Sequence, residues 1–120
     1  MAAEAYRKAF KLDPENAEFY GNIGNAFRRK GDLDAVVRCY RKALQIQPDT
    51  AALYCNIGNA LLIKGKFDSA IRNFKSSLRI DSNTSEVWNN KGVALRGKGK
   101  LNAAIESYDK TIEISPDHMD

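Results

Sequence analysis

The sequence predicts an all-α chain built as a solenoid of antiparallel helix hairpins. Three observations predict it. The segments 17–50, 51–84 and 85–118 align without a gap at a period of 34 residues. Each carries two apolar stripes at helical spacing, and each is punctuated at the same offsets by glycine and by a polar turn. A repeat of that length signals stacked small units with a long shared surface, not a closed domain around one buried site.

The elements follow in order. Residues 3–12 carry Tyr6, Ala9, Phe10 and Leu12 before Pro14, which fits one helix and makes residues 1–16 half a repeat. In the first full repeat, Tyr20, Ile23, Gly24 and Phe27 recur at i, i+3, i+4 and i+7, so a helix is expected over 17–30. Gly31 follows where a left-handed C-terminal residue is wanted. Asp34 is then expected to cap the next helix, over 35–46, whose stripe is Val36, Val37, Tyr40, Ala43, Leu44 and Ile46. Pro48 closes the unit. The second and third repeats copy this plan, with helices expected at 51–64, 69–80, 85–98 and 103–114. Gly65 and Gly99 match Gly31, Asp68 and Asn102 match Asp34, and Asn16, Thr50 and Thr84 stand where first helices need a cap. The total expected is seven helices in one array over 1–120.

Composition narrows the class. An apolar fraction of 43% suits a folded chain. No apolar run is long enough to span a bilayer, and the opening residues lack the pattern of a secretory signal. Cys39 and Cys55 stand apart, as reduced thiols would, and the expected location is cytoplasmic. The Asn83-Thr84-Ser85 sequon reads as a turn. A net charge of +4 is mild and does not by itself imply nucleic acid.

These residues resemble the tetratricopeptide repeat family, whose pattern runs aromatic, Leu-Gly, Tyr, then Ala, Phe, Ala and Pro. The first repeat supplies Tyr20, Ile23-Gly24, Phe27, Tyr40, Ala43 and Pro48. The second supplies Tyr54, Ile57-Gly58, Leu61, Ala70, Phe74 and Leu78, and the third Trp88, Gly92, Leu95, Ala104, Tyr108 and Pro116. Three departures stand out. Val36 replaces a small residue at the helix crossing, Ser82 replaces the closing proline, and Lys91 sits on the core stripe in line with Ile23 and Ile57. The third repeat is therefore expected to pack less tightly.

The core stripe of each first helix falls at repeat positions 4, 7, 8 and 11. At about 100° per residue, positions 2, 5, 6, 9 and 13 point the other way. The resemblance implies that this opposite face lines the concave groove of a right-handed superhelix. It holds Asn22, Asn25 and Arg29, then Cys55, Asn56, Asn59 and Ile63, then Asn89, Asn90 and Val93. Asn22, Asn56 and Asn90 occupy one position in three successive repeats. An amide side chain can both donate to and accept from a peptide bond, so such a row could hold an extended backbone. It resembles the asparagine ladder of some peptide-binding members of the family. The alternative is that asparagine merely solubilises the face, and the sequence leaves both open.

The carboxylate clamp that some members use for chaperone tails is argued against. Gly21 stands where a lysine is needed, and Glu86 and Asn90 occupy the cationic positions of the third repeat. Basic residues gather before the turn within each repeat and acidic ones between repeats, as helix dipoles favour. Exposed aromatics are not interleaved with the basic ones, which speaks against a nucleic-acid partner.

Catalytic signatures are missing. The Gly92 to Lys98 stretch lacks the Ser or Thr and the strand of a phosphate loop. His118 is the sole histidine, so neither a zinc site nor an acyl-transfer base is on offer. Tyr20, Tyr54 and Trp88 read as core, and Cys55 as a modestly exposed thiol. No cofactor is expected. The chain reads as a non-catalytic module that binds a peptide segment of a partner protein. The alternative is a structural segment that self-associates through its ends, where Ile105, Tyr108, Ile112 and Ile114 of the last helix would lack cover.

Overall fold

A computed structural model describes residues 17–115. Within them lie six helices: α1 (Ala17–Lys30), α2 (Leu33–Ile46), α3 (Ala51–Ile63), α4 (Phe67–Ile80), α5 (Ser85–Gly97) and α6 (Leu101–Ile114). The helix expected over 3–12 and the cap expected at Asn16 lie outside the described residues. The helices pair as hairpins α1–α2, α3–α4 and α5–α6, and each hairpin packs on the next through α2 against α3 and α4 against α5. The molecule is elongated, 47 × 25 × 24 Å. None of the described helices is long and apolar enough to cross a membrane.

Glycine builds each hairpin in two ways. Gly31, Gly65 and Gly99 end the first helices at φ of +86°, +79° and +80°, a region that side chains disfavour. Gly24, Gly58 and Gly92 lie under the rings of Tyr40, Phe74 and Tyr108. A Cβ on them would stand 2.9, 2.5 and 2.7 Å from those rings. The absent side chain lets the second helix press its aromatic onto the backbone of the first.

Two expectations need correction. The second helices start at Leu33, Phe67 and Leu101, two residues earlier than expected. Asp34 therefore lies inside the first turn, and the cap is Asp32, whose carboxylate accepts from the Ala35 N–H at 3.1 Å. Lys66 and Lys100 hold the same position in the later repeats and give no side-chain cap. The tight glycine turn leaves only one residue between Gly31 and the helix, which is why the cap falls earlier. Thr50 and Thr84 do occupy cap positions, yet neither side chain caps, and Thr50 donates its hydroxyl to the Gln47 carbonyl at 3.0 Å.

The core runs through the stack. Ile23, Val36 and Tyr40 in the first repeat, Ile57, Ala70 and Phe74 in the second, and Val87, Ala94 and Ala104 in the third are buried. Val36 is fully enclosed despite its size at the crossing. The third repeat buries smaller groups, including Ser107 and Thr111. Their polar atoms are satisfied, since Thr111 donates to the Ser107 carbonyl at 3.2 Å. One repeat earlier, Ser77 donates to the Ala51 carbonyl at 2.9 Å and ties α4 to the start of α3. Tyr54 and Trp88 are only half-buried, which corrects their reading as core. Trp88 donates its ring N–H to the Ser82 carbonyl at 2.8 Å, and the Lys91 ammonium lies 5.0 Å from the centre of its ring. The half-buried Lys91 thus keeps its charge over an aromatic face in place of the aliphatic packing of Ile23 and Ile57.

Candidate functional site

The groove residues come from the first helix of each repeat, on the side away from the aromatic stripe. Asn22, Asn25 and Arg29 of α1 are exposed, and Ile63 of α3 is exposed to 68%. Asn56, Asn59, Asn89, Asn90 and Val93 are half-buried. Where α3 meets α5 and the end of α4, a cleft of about 240 Å³ opens, lined by Ala52, Cys55, Asn56, Asp81, Glu86 and Val87 among others.

The asparagines divide into two sets. Asn90 Nδ2 donates to Asn59 Oδ1 at 2.8 Å, joining the third repeat to the second. Asn59 in turn directs its amide N–H toward the Cys55 sulfur at 3.7 Å. Asn25 Oδ1 accepts from the Tyr40 hydroxyl at 2.5 Å, tying α1 to α2. Among the described residues, no side-chain hydrogen bond engages Asn22 or Asn56. The row expected to act alike thus contains residues that hold the scaffold and residues left to the groove. The inward reach of Asn25, Asn59 and Asn90 was not apparent in their spacing, because it depends on how far each side chain sinks into the seam.

Cys55 is buried, not modestly exposed as expected. Burial, and then the negative charge of Glu86, push its thiol up to about 11, against the opposing hydrogen bond from Asn59. A protonated, enclosed thiol is a poor nucleophile.

The basic edge expected from the turns is partly neutralised. Lys64 pairs with Asp34, and Lys98 with Asp68. Both pairs join consecutive repeats at the same spacing, which the sequence carries twice. Both carboxyls are held below the usual carboxylate range, chiefly by the lysine hydrogen bond and then by its charge. No group of His, Cys, Asp and Glu among the described residues could hold a metal ion.

A profile described as TPR repeat matches residues 1–31 and 24–63, and two described as tetratricopeptide repeat match 51–84 and 85–118. The chain belongs to the tetratricopeptide repeat family. Solved members of similar shape include MamA, at 25% identity and a TM-score of 0.91 over 96% of this chain and 67% of that one. YrrB, a tetratricopeptide protein with an unusual peptide-binding site, matches at 24% identity and a TM-score of 0.91, over 98% of this chain and 61% of its own. MamA from Desulfovibrio magneticus RS-1 matches at 19% identity and a TM-score of 0.88, over 96% of this chain and 65% of that one. The chain thus spans about two thirds of the length of these structures. Among curated proteins, no sequence match is found. The all-helical tetratricopeptide solenoid is therefore established, and at these identities the likeness speaks to fold.

Proposed function

We propose that this chain is a non-catalytic module that holds a peptide segment of a partner protein along the face formed by α1, α3 and α5. The observation that carries the reading is the division of the asparagines. Asn22 and Asn56 stand one repeat apart with their amides unengaged, on a scaffold that Asn25, Asn59 and Asn90 keep rigid. An amide pair at a fixed spacing can donate to and accept from a peptide backbone without reading its side chains. Arg29, Ile63 and Val93 supply side-chain preference, and Asn89 lies beside the face. The cleft at Asn56 carries Asp81 and Glu86, which disfavours a C-terminal carboxylate there. The peptide-binding site of YrrB adds support by analogy of fold.

The test is hydrogen exchange with a peptide selected on this protein from a random display library. Added protection in α1, α3 and α5, lost in the Asn22→Ala/Asn56→Ala variant, supports the groove. Protection confined to other elements overturns it.

A second reading concerns the end of the stack. Leu101, Ile105 and Ile112 of α6 are exposed to 59%, 55% and 43%. This favours an association face on α6. Tyr108 and Ile114, expected on the same face, are half-buried, with the Tyr108 ring lying over Gly92.

A further inference from the structure

Register exposes a difference between the last helix and its two predecessors. Counting back 34 residues, Ile105 corresponds to Ile71 and Val37, and Ile112 to Leu78 and Leu44. Val37, Ile71 and Leu78 are buried at 7%, 8% and 7%. They lie in the seam where the following first helix packs on α2 or α4. The same positions on α6 stand open. A helix packed on α6 as α5 packs on α4 would continue an interface that the chain already builds twice.

The charge of this face is inverted. α2 carries Arg38, Arg41 and Lys42 against Asp34, and α4 carries Arg72, Lys75 and Arg79 against Asp68. α6 carries Glu106, Asp109 and Glu113 against Lys110 alone. Arg41 and Lys75 give way to Asp109, Arg72 to Glu106, and Arg79 to Glu113. Asp109 and Glu113 lie along one flank of the Leu101, Ile105 and Ile112 stripe, since they fall about 80° and 120° from Leu101 around the helix. That flank faces the next helix in the stack. Lys75, at the register of Asp109, stands near enough to Lys91 of α5 to help lower its pKa, after burial. Asp68, on the same flank, pairs with Lys98 of the next repeat. Lys110 reaches Glu113 at 3.4 Å and offsets part of the negative charge, while Asp109 has no such ion pair among the described residues.

We propose that the open face of α6 docks an amphipathic helix from a partner protein, with an apolar stripe bordered by lysine or arginine. The inference rests on the second reading above and names its partner. A second copy docking α6 on α6 would set Asp109 and Glu113 against their own counterparts, and like charges across an interface disfavour that pairing.

The probe is a stapled helical peptide with leucines on one face and lysines along the border, compared with a twin carrying glutamates there. Binding is followed by fluorescence anisotropy at low and high salt. The basic peptide is expected to bind about tenfold more tightly than its twin, the size that two or three rim ion pairs give. The variant Asp109→Lys/Glu113→Arg, which carries the charges α4 has at the same register, is expected to reverse the preference. Ile105→Ser, a change at an exposed site, is expected to weaken both peptides while circular dichroism stays unchanged. Asn22→Ala/Asn56→Ala is expected to leave both affinities intact, which keeps this site distinct from the groove. If both twins bind equally and Ile105→Ser releases both, the face associates but the charge rule is wrong. If Ile105→Ser changes nothing, the α6 face is not a docking site. Concentration-dependent dimers that compete with the peptide would make a second copy the occupant and overturn the proposal.

Discussion

Asn90 donates to Asn59 at 2.8 Å across the seam between the second and third repeats. Two residues on the groove side are thereby joined to one another. The bond makes Asn59 part of the scaffold, and it separates what the groove needs for folding from what it can offer a ligand.

The first prediction follows from that separation. Asn59→Ala is expected to cost about 1 kcal/mol of stability, the usual net contribution of one hydrogen bond. Asn56→Ala is expected to stay within about 0.5 kcal/mol of the parent, as a polar residue without a protein partner should. Urea denaturation of both variants checks this. A double-mutant cycle of Asn59 and Asn90 should show coupling. Equal stabilities for the two single variants would remove the distinction.

Gly58 sits 2.5 Å from where its added Cβ would meet the Phe74 ring. Gly58→Ala is expected to destabilise. Overpacking of about 1–3 kcal/mol competes with a gain of about 1 kcal/mol in helix propensity. Gly24→Ala, with more room at 2.9 Å, is expected to cost less. Thermal unfolding of the pair gives the order, and a stabilised Gly58→Ala would contradict the packing.

The repeat plan was legible in the sequence because its signals recur three times. Gly31, Gly65 and Gly99 each mark a helix end, and the offset of Gly24 from Tyr40 recurs as Gly58 with Phe74 and Gly92 with Tyr108. Helix starts were harder. Asp34 resembles a cap, but the turn is tight enough to place Asp32 there, and Asp34 is used instead for Lys64. The groove was legible as a face and not as a set of roles. Asn22, Asn56 and Asn90 share one register, yet only Asn90 has Asn59 opposite it to bond. Periodicity places a residue on a side of a helix, while depth in the seam depends on neighbours from another repeat.

The Asp34–Lys64 and Asp68–Lys98 pairs predict a pH dependence. Both carboxyls have folded-state pKa values below their unfolded ones. Their contribution is therefore present above the unfolded pKa and is lost as pH falls through the lower, folded pKa. The Asp34→Asn/Asp68→Asn variant is expected to show a flatter melting-temperature profile than the parent below about pH 4. The pairs are exposed, so added salt should shrink the difference. Coincident profiles would show that neither pair contributes.

Cys55 predicts slow chemistry. With its thiol pushed up to about 11, alkylation of the folded protein at pH 8 should be far slower than that of an unfolded control. Glu86→Gln removes the second cause of the shift and should speed the reaction modestly. A folded-state rate equal to the control would show that Cys55 is open to solvent.

Peptide binding at the unengaged asparagines is the central claim, and isothermal titration tests it most directly. A library-selected peptide is titrated into the parent and into Asn22→Ala, Asn56→Ala and the double variant. With about 1 kcal/mol for each amide contact, affinity should fall roughly fivefold for each single variant and further for the double, with folding unchanged. An affinity equal to that of the parent in all three would contradict the account and leave these asparagines as solubilising residues.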